Sequence, residues 1–252
     1  MREDLRGLAA LVTGASSGIG EATAVELATR GAAVTLVARR ADRLKTLAER
    51  IGETGGTALA VEADVADYDQ VSAAVERSVQ EWGRLDIVIS NAGLSRPEPI
   101  TEGASANFDL VVGVNLLGSM YCARAALPHL LRAARTAPRG VADFVLVSSL
   151  SGRVHRADSA VYTATKHAVN AFGECVRQEV ADRDVRVCTV EPAAVDTEFF
   201  APGVLQRRRA NSSLTPLRPQ DVADTIGYMV SRPAHVAISE LLVRPARQGA
   251  PR

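Results

Sequence analysis

LAALVTGASSGIGEATAVELATRG, residues 8–31, leads a short apolar run through a glycine-rich turn into a helical pattern. LAALVTG reads as a buried strand, and Ile19 to Arg30 as a helix stopped by Gly31. Between them, TGASSGIG (Thr13 to Gly20) sets Gly14, Gly18 and Gly20 among Ser16, Ser17 and Ile19. Small residues let the backbone turn sharply and come close to a diphosphate, and the helix start directs N–H groups and a positive dipole end at it. A glycine-rich loop alone also makes a tight strand-to-helix turn. Its place at the start of a doubly wound sheet makes it a dinucleotide signature.

The rest of the chain supplies that sheet. AAVTLVA, TALAVEAD, LDIVIS, VADFVLVSS, DVRVCTVEP and ELLVRP are further strand candidates, near-continuously apolar as suits a parallel sheet covered on both faces. Helical patterns lie between them, clearest from Asp42 to Glu53, stopped by Gly55-Gly56, and from Asp67 to Trp82, stopped by Gly83. Repeated strand–helix–strand order predicts one α/β domain over residues 1–252. Its architecture is a single-domain doubly wound (Rossmann) parallel sheet of about seven strands with helices on both faces. Arg132 to Gly140 reads as a surface excursion. Glu198 to Pro216 follows the sixth strand and reads either as a substrate lid or as a surface loop with a solvated Arg207-Arg208-Arg209 cluster.

Lys plus Arg (29) balance Asp plus Glu (29), so nothing global favours nucleic acid or an anionic membrane. Cys122, Cys175 and Cys188 lie far apart, and His129, His167 and His235 show no metal-ligand spacing; no disulfide and no metal are expected. No uninterrupted apolar run approaches the ~18 residues needed to span a bilayer. The charged start MREDLRG does not read as a signal peptide, so the expected location is cytoplasmic.

The second strand ends in VARR, Val37 to Arg40. Sheets of this kind that bind NAD usually carry an acid here for the adenosine ribose hydroxyls. This chain has Ala38, Arg39 and Arg40 instead, and a guanidinium binds the 2′-phosphate that a carboxylate would repel. The expected cofactor is NADP(H) rather than NAD(H), with Arg39 the main discriminator and Arg40 in support. The alternative is two exposed arginines opening a helix.

VYTATKHA, Val161 to Ala168, puts Tyr162 one helical turn ahead of Lys166 on the same face. Alone, the pair fits either a ring packed under a lysine stem or a phenol prepared to exchange a proton. Its company decides between them. TGASSGIG is followed in order by ADV (Ala63 to Val65), SNAG (Ser90 to Gly93), Asn115, SSLSG (Ser148 to Gly152), YTATK (Tyr162 to Lys166) and EPAAVDT (Glu191 to Thr197). That series resembles the short-chain dehydrogenase/reductase superfamily over nearly the whole chain. The closing HVAISELLVRPARQ is similar to the tails of clavulanic acid dehydrogenase and NADP-dependent hydroxy-amino-acid dehydrogenases.

The resemblance implies an oxidoreductase acting on a small-molecule carbonyl or alcohol, with Asn115, Ser149, Tyr162 and Lys166 as a catalytic tetrad. Asp64 would bond the adenine, Val65 would line its pocket, and Asn91, Ala92 and Gly93 would pass near the ribose. Pro192, Val195 and Thr197 would hold the nicotinamide. Ser149 would hold the substrate oxygen, Tyr162 would exchange its proton, and Lys166 would bond the nicotinamide ribose, with Asn115 positioning a water beside it. An ammonium ~4 Å from the phenol, at an effective dielectric near ~20, favours the phenolate by roughly 4 kcal/mol. That lowers its pKa by up to about three units before desolvation acts. Ala193 stands where many relatives have glycine, and Ser90 where many have asparagine. In relatives the loop carrying Arg153 and His155 borders the substrate cavity. These two are therefore candidates for contact with a polar or acidic substrate, or else surface residues. A homo-oligomer, most commonly a tetramer, is the family expectation. The alternatives are an NADP(H)-binding sensor or scaffold, which has no need of the full tetrad, and an epimerase or dehydratase on the same fold.

Overall fold

The computed structural model describes residues 4–136, 139–199 and 215–248. All seven strand candidates are strands of one parallel sheet, ordered β3-β2-β1-β4-β5-β6-β7. They are β1 (Ala9–Thr13), β2 (Ala33–Ala38), β3 (Thr57–Glu62), β4 (Ile87–Ser90), β5 (Ala142–Val147), β6 (Val185–Pro192) and β7 (Glu240–Val243). The helices are α1 (Gly18–Thr29), α2 (Ala41–Glu53), α3 (Tyr68–Trp82), α4 (Ser105–Val112), α5 (Gly118–Thr136), α6 (Ala160–Glu179) and α7 (Pro219–Val230).

Alternation along the strands divides the core in two. Ala10 and Val12 of β1 face one layer with Leu27, Leu44, Leu47, Ile51 and Ile226 from α1, α2 and α7. Leu11 faces the other with Val75, Cys122, Leu130 and Val176 from α3, α5 and α6. The helix ends follow the expected punctuation. Asp67 caps α3 by accepting from the N–H groups of Asp69 and Gln70, and Gly83 ends it at φ 73°. Trp82 donates its indole N–H to Thr35 Oγ1 at 2.9 Å, which joins α3 to β2.

Helix runs unbroken from Ser105 to Thr136 through α4, a π-helical turn (Gly113–Leu117) and α5. Its average composition is apolar enough to cross a membrane, although polar residues interrupt every apolar run within it. Here it is a core helix: Cys122, Ala126, Leu130 and Ala133 are buried with the sheet.

Beneath the amino ends of the strands lies a buried ionic knot. Arg186 donates to both Asp143 oxygens at 2.7 and 3.0 Å, and Arg139 bonds the same carboxylate. Arg186 also donates to the carbonyls of Val230, Arg232 and Val236, so β5, β6 and the chain after α7 share one donor. Asp143 is fully buried. Removing it leaves a buried guanidinium uncompensated, a loss of roughly 3–5 kcal/mol. Urea denaturation of Asp143→Ala should show that loss.

Candidate active site

The sheet order reverses at β1, which pairs with β2 on one side and β4 on the other. The loops leaving these strands part, and a cleft of about 940 Å³ opens above their carboxyl ends. Of the residues expected to form the site, Gly14, Ser16, Ser17, Gly18, Ile19, Arg39, Arg40, Asp64 and Val65 line its first half. Asn91, Ala92, Gly93, Ser149, Tyr162, Lys166, Pro192, Val195 and Thr197 line the rest. Gly20 and Asn115 stand behind its wall.

At the glycine-rich loop, Gly14 and Gly18 adopt φ of 66° and 59°, the left-handed region that favours glycine. A methyl group on Gly20 would lie 2.4 Å from the Gly14 carbonyl oxygen and 2.5 Å from Asn91 Nδ2. Gly20 is therefore a packing requirement, letting α1 seat directly against the loop. Thr13 Oγ1 accepts from the N–H groups of Asn91 and Ala92 at 3.0 and 3.1 Å, tying the loop to the turn after β4. Ser17, at the start of α1, makes no side-chain cap.

Arg40 lies against this loop, with Nε and Nη2 donating to Ser16 Oγ at 3.0 and 2.9 Å and Nη2 to Ser17 Oγ at 2.7 Å. Arg39 instead extends to Asp64, 3.6 Å away, and remains 61% exposed. The supporting arginine of the sequence reading is thus the one on the phosphate loop. Glu198 pairs with both Arg40 (3.2 Å) and Arg43 (2.7 Å), which holds its carboxyl below the ordinary range.

At the far end, Ser149 begins a 3₁₀ turn (Leu150–Gly152), and its Oγ accepts from Ser151 N–H at 3.1 Å. The same side chain hydrogen-bonds the Tyr162 hydroxyl. Lys166 is 4% exposed, donates from Nζ to the Val147 carbonyl at 2.9 Å, and lies 5.9 Å from the centre of the Tyr162 ring. Burial pushes the phenol up to about 12, against the Ser149 bond, and pushes Lys166 down to about 8. The phenol is thus raised where a lowering was expected: desolvation dominates, with Ser149 acting against it.

Asn115 sits in the π-helical turn, where its Oδ1 accepts from Leu94 N–H at 2.8 Å and its Nδ2 donates to the Leu94 carbonyl at 2.9 Å. Both ends of its amide clamp the backbone after Gly93. A methyl group on Gly93 would come within 3.4 Å of Asn115 Oδ1 and 3.7 Å of Lys166 Nζ, so the two flank that glycine.

Arg153 and His155 do not line the cleft. Arg153 is engaged by buried Glu191 and by Glu240, while exposed His155 stacks on His167 with ring centres 5.0 Å apart. The loop's contribution comes from Arg156 and Asp158, and Phe199 sets its ring edge to Tyr162 at 5.8 Å. No spacing or motif singled these out. Ala193 is also in the wall, its N–H donating to the Val243 carbonyl at 2.9 Å. Most of the expected lid, residues 200–214, lies outside the described residues. Its flanks are joined where Leu217 N–H donates to the Ala194 carbonyl and Asp196 N–H to that of Leu217.

Residues 8–207 match the family model described as short chain dehydrogenase. An uncharacterised oxidoreductase of Staphylococcus aureus (strain MRSA252) is 34% identical over 236 residues, 94% of this chain and 96% of that one. The structure is similar to that of an alcohol dehydrogenase from the archaeon Thermococcus sibiricus complexed with 5-hydroxy-NADP (TM-score 0.85, 28% identity, 97% of this chain and 99% of that one). It is equally similar to that of a 3-ketoacyl-(acyl-carrier-protein) reductase from Brucella melitensis complexed with NADH (TM-score 0.86, 30% identity, 97% and 99%).

Gly20→Ala must separate α1 from the loop, which should cost about 1–3 kcal/mol. Gly52→Ala is the matched control, because a methyl group there meets nothing within 4 Å. In a helix that change is neutral or stabilising by up to ~1 kcal/mol. Thermal melts of the two variants should move in opposite directions, or only the first should move.

Proposed function

The chain belongs to the short-chain dehydrogenase family, and from that premise we propose that it is an NADP(H)-dependent reductase interconverting a carbonyl and an alcohol. The observation that carries this reading is the Ser149–Tyr162–Lys166 group, its lysine buried, at one end of a cleft whose other end is the glycine-rich loop with Arg40.

The cleft's residues fit a phosphorylated dinucleotide. The left-handed glycines bring backbone to its wall, and the start of α1 is left without a side-chain cap. At the adenosine end Arg40, Ser16 and Ser17 form a cluster of guanidinium and hydroxyl donors suited to a phosphate. The similar solved structures carry 5-hydroxy-NADP in one case and NADH in the other, so the choice of NADP(H) rests on Arg40 and Arg39. When bound, the dinucleotide supplies hydride.

The protein's own residues handle the oxygen. Ser149, held by Ser151 N–H, presents its hydroxyl to the substrate oxygen; Tyr162 donates the proton that converts that oxygen to an alcohol. A phenol pushed up to about 12 stays protonated at neutral pH, ready to donate. Lys166, at about 8, is an ammonium at neutral pH and stabilises negative charge developing at the Tyr162 oxygen as the proton leaves. The protein is further read as cytoplasmic and homotetrameric. Leu110 and Leu117, 36% and 38% exposed on the α4–α5 run, support a face for self-association.

Tyr162→Phe should lower NADPH-dependent carbonyl reduction by at least ~10²-fold while leaving the NADPH Kd within a few-fold. In the wild type, reduction should fall as pH rises through about 8, because Lys166 loses its charge there. A rate that climbs through that range excludes the assignment. Arg40→Ala should raise the Kd for NADPH about 10-fold more than that for NADH, in line with loss of a charge-assisted bond. Equal effects on the two cofactors would return the choice to NAD(H).

A further inference from the structure

Arg156 lines the same cleft as Tyr162 and Ser149, on the loop between the 3₁₀ turn and α6. Its Nε is buried and has no hydrogen-bond partner among the described residues. Asp158, the nearest carboxylate in sequence, is also in the cleft wall. A second guanidinium, Arg96, enters the wall from the chain after β4, and among the described residues its one bond is to the neighbouring Ser95 carbonyl at 3.2 Å. Gln248, from the chain after β7, adds another buried polar atom, its Oε1, without a partner among the described residues.

Buried donors and acceptors in folded proteins are nearly always paired, and one left open in a ligand cleft is an invitation to a ligand atom. A guanidinium most readily accepts the planar pair of oxygens of a carboxylate. We infer that Arg156, with Arg96 beside the same cavity, anchors a carboxylate on the substrate, so that the enzyme acts on oxo acids or hydroxy acids rather than on neutral ketones. Gln248 offers its oxygen to a hydroxyl or amino group on the same molecule. The inference rests on the reductase reading above and specifies the substrate class for that site. The positive charge is placed by this loop; the arginine three residues earlier, Arg153, is bound away from the cleft by Glu191 and Glu240.

The test compares NADPH-dependent reduction of oxo acids of graded chain length with reduction of their methyl esters, which keep the carbonyl and lose the charge. The wild type should favour the acid over the ester in kcat/KM, and the preferred chain length reads the span from Tyr162 to Arg156. Arg156→Leu should shrink the acid-to-ester ratio by roughly 30-fold, the scale of one charge-assisted bond, and Arg156→Lys should restore part of it. A ratio near one in the wild type, or one that survives Arg156→Leu, overturns the inference and leaves the reductase reading intact. If neither acid nor ester is reduced, thermal shift with the same acids, with and without NADPH, decides. Stabilisation by acid that disappears in Arg156→Leu retains the carboxylate site and rejects the reductase reading. Absence of any shift rejects the site.

Discussion

Parallel pairing of β1 with both β2 and β4 is the constraint on which the rest of the molecule depends. Parallel neighbours cannot be joined by a hairpin, so each pairing demands a crossover helix. The chain leaves β1 for β2 on one side and returns from β3 to β4 on the other, so the loops after β1 and β4 part above the carboxyl end of β1. The glycine-rich loop and the Asn91-Ala92-Gly93 turn are the two lips of that gap. They are joined by Thr13 Oγ1, which accepts from the turn's backbone, and by Asn91 Nδ2, which donates to the Thr13 carbonyl at 2.9 Å. Arg40 at the end of β2 and Tyr162 on α6 reach the same cleft because both lie on the carboxyl side of the sheet.

Burial then sets the chemistry. A lysine at 4% exposure, with its ammonium bonded to a backbone carbonyl, is depressed to about 8, and a phenol beside it is raised to about 12. Both shifts have one cause, the removal of water from the charged form. In the proposed reaction they divide the labour: the phenol keeps its proton until a substrate oxygen needs it, and the lysine remains cationic near neutrality to meet the charge that follows. Asn115 contributes by rigidity. Its amide clamps both backbone groups of Leu94 from a π-helical turn, a local widening of the helix often found at functional sites.

Charge is distributed unevenly along the cleft. Arg39 and Arg40 stand at one end, Lys166 at the floor, and Arg96 and Arg156 on the walls. Glu198 connects this pattern to the chain after β6, because its carboxylate binds Arg40 and Arg43 while its neighbour Phe199 meets the Tyr162 ring. With Asp64, Asp158 and Glu198 also in the lining, the cleft keeps an excess of cationic groups in a protein whose acidic and basic residues are equal in number.

The sequence by itself determined the sheet, its crossovers and most of the residues that meet in the cleft. Apolar runs of strand length, glycines after helices and the order of short motifs are local properties that survive whatever packs against them. Tyr162, Lys166, Ser149 and the loop glycines were readable for that reason. The tertiary structure alone decided which arginine meets the phosphate loop, since Arg40 finds Ser16 across 24 residues. It also decided that Arg153 turns to Glu191 and Glu240 while Arg156 stays in the cleft, and that the phenol is raised rather than lowered. Each of these depends on which distant strand or helix is adjacent and how much water it displaces. Neither quantity is a property of residue spacing.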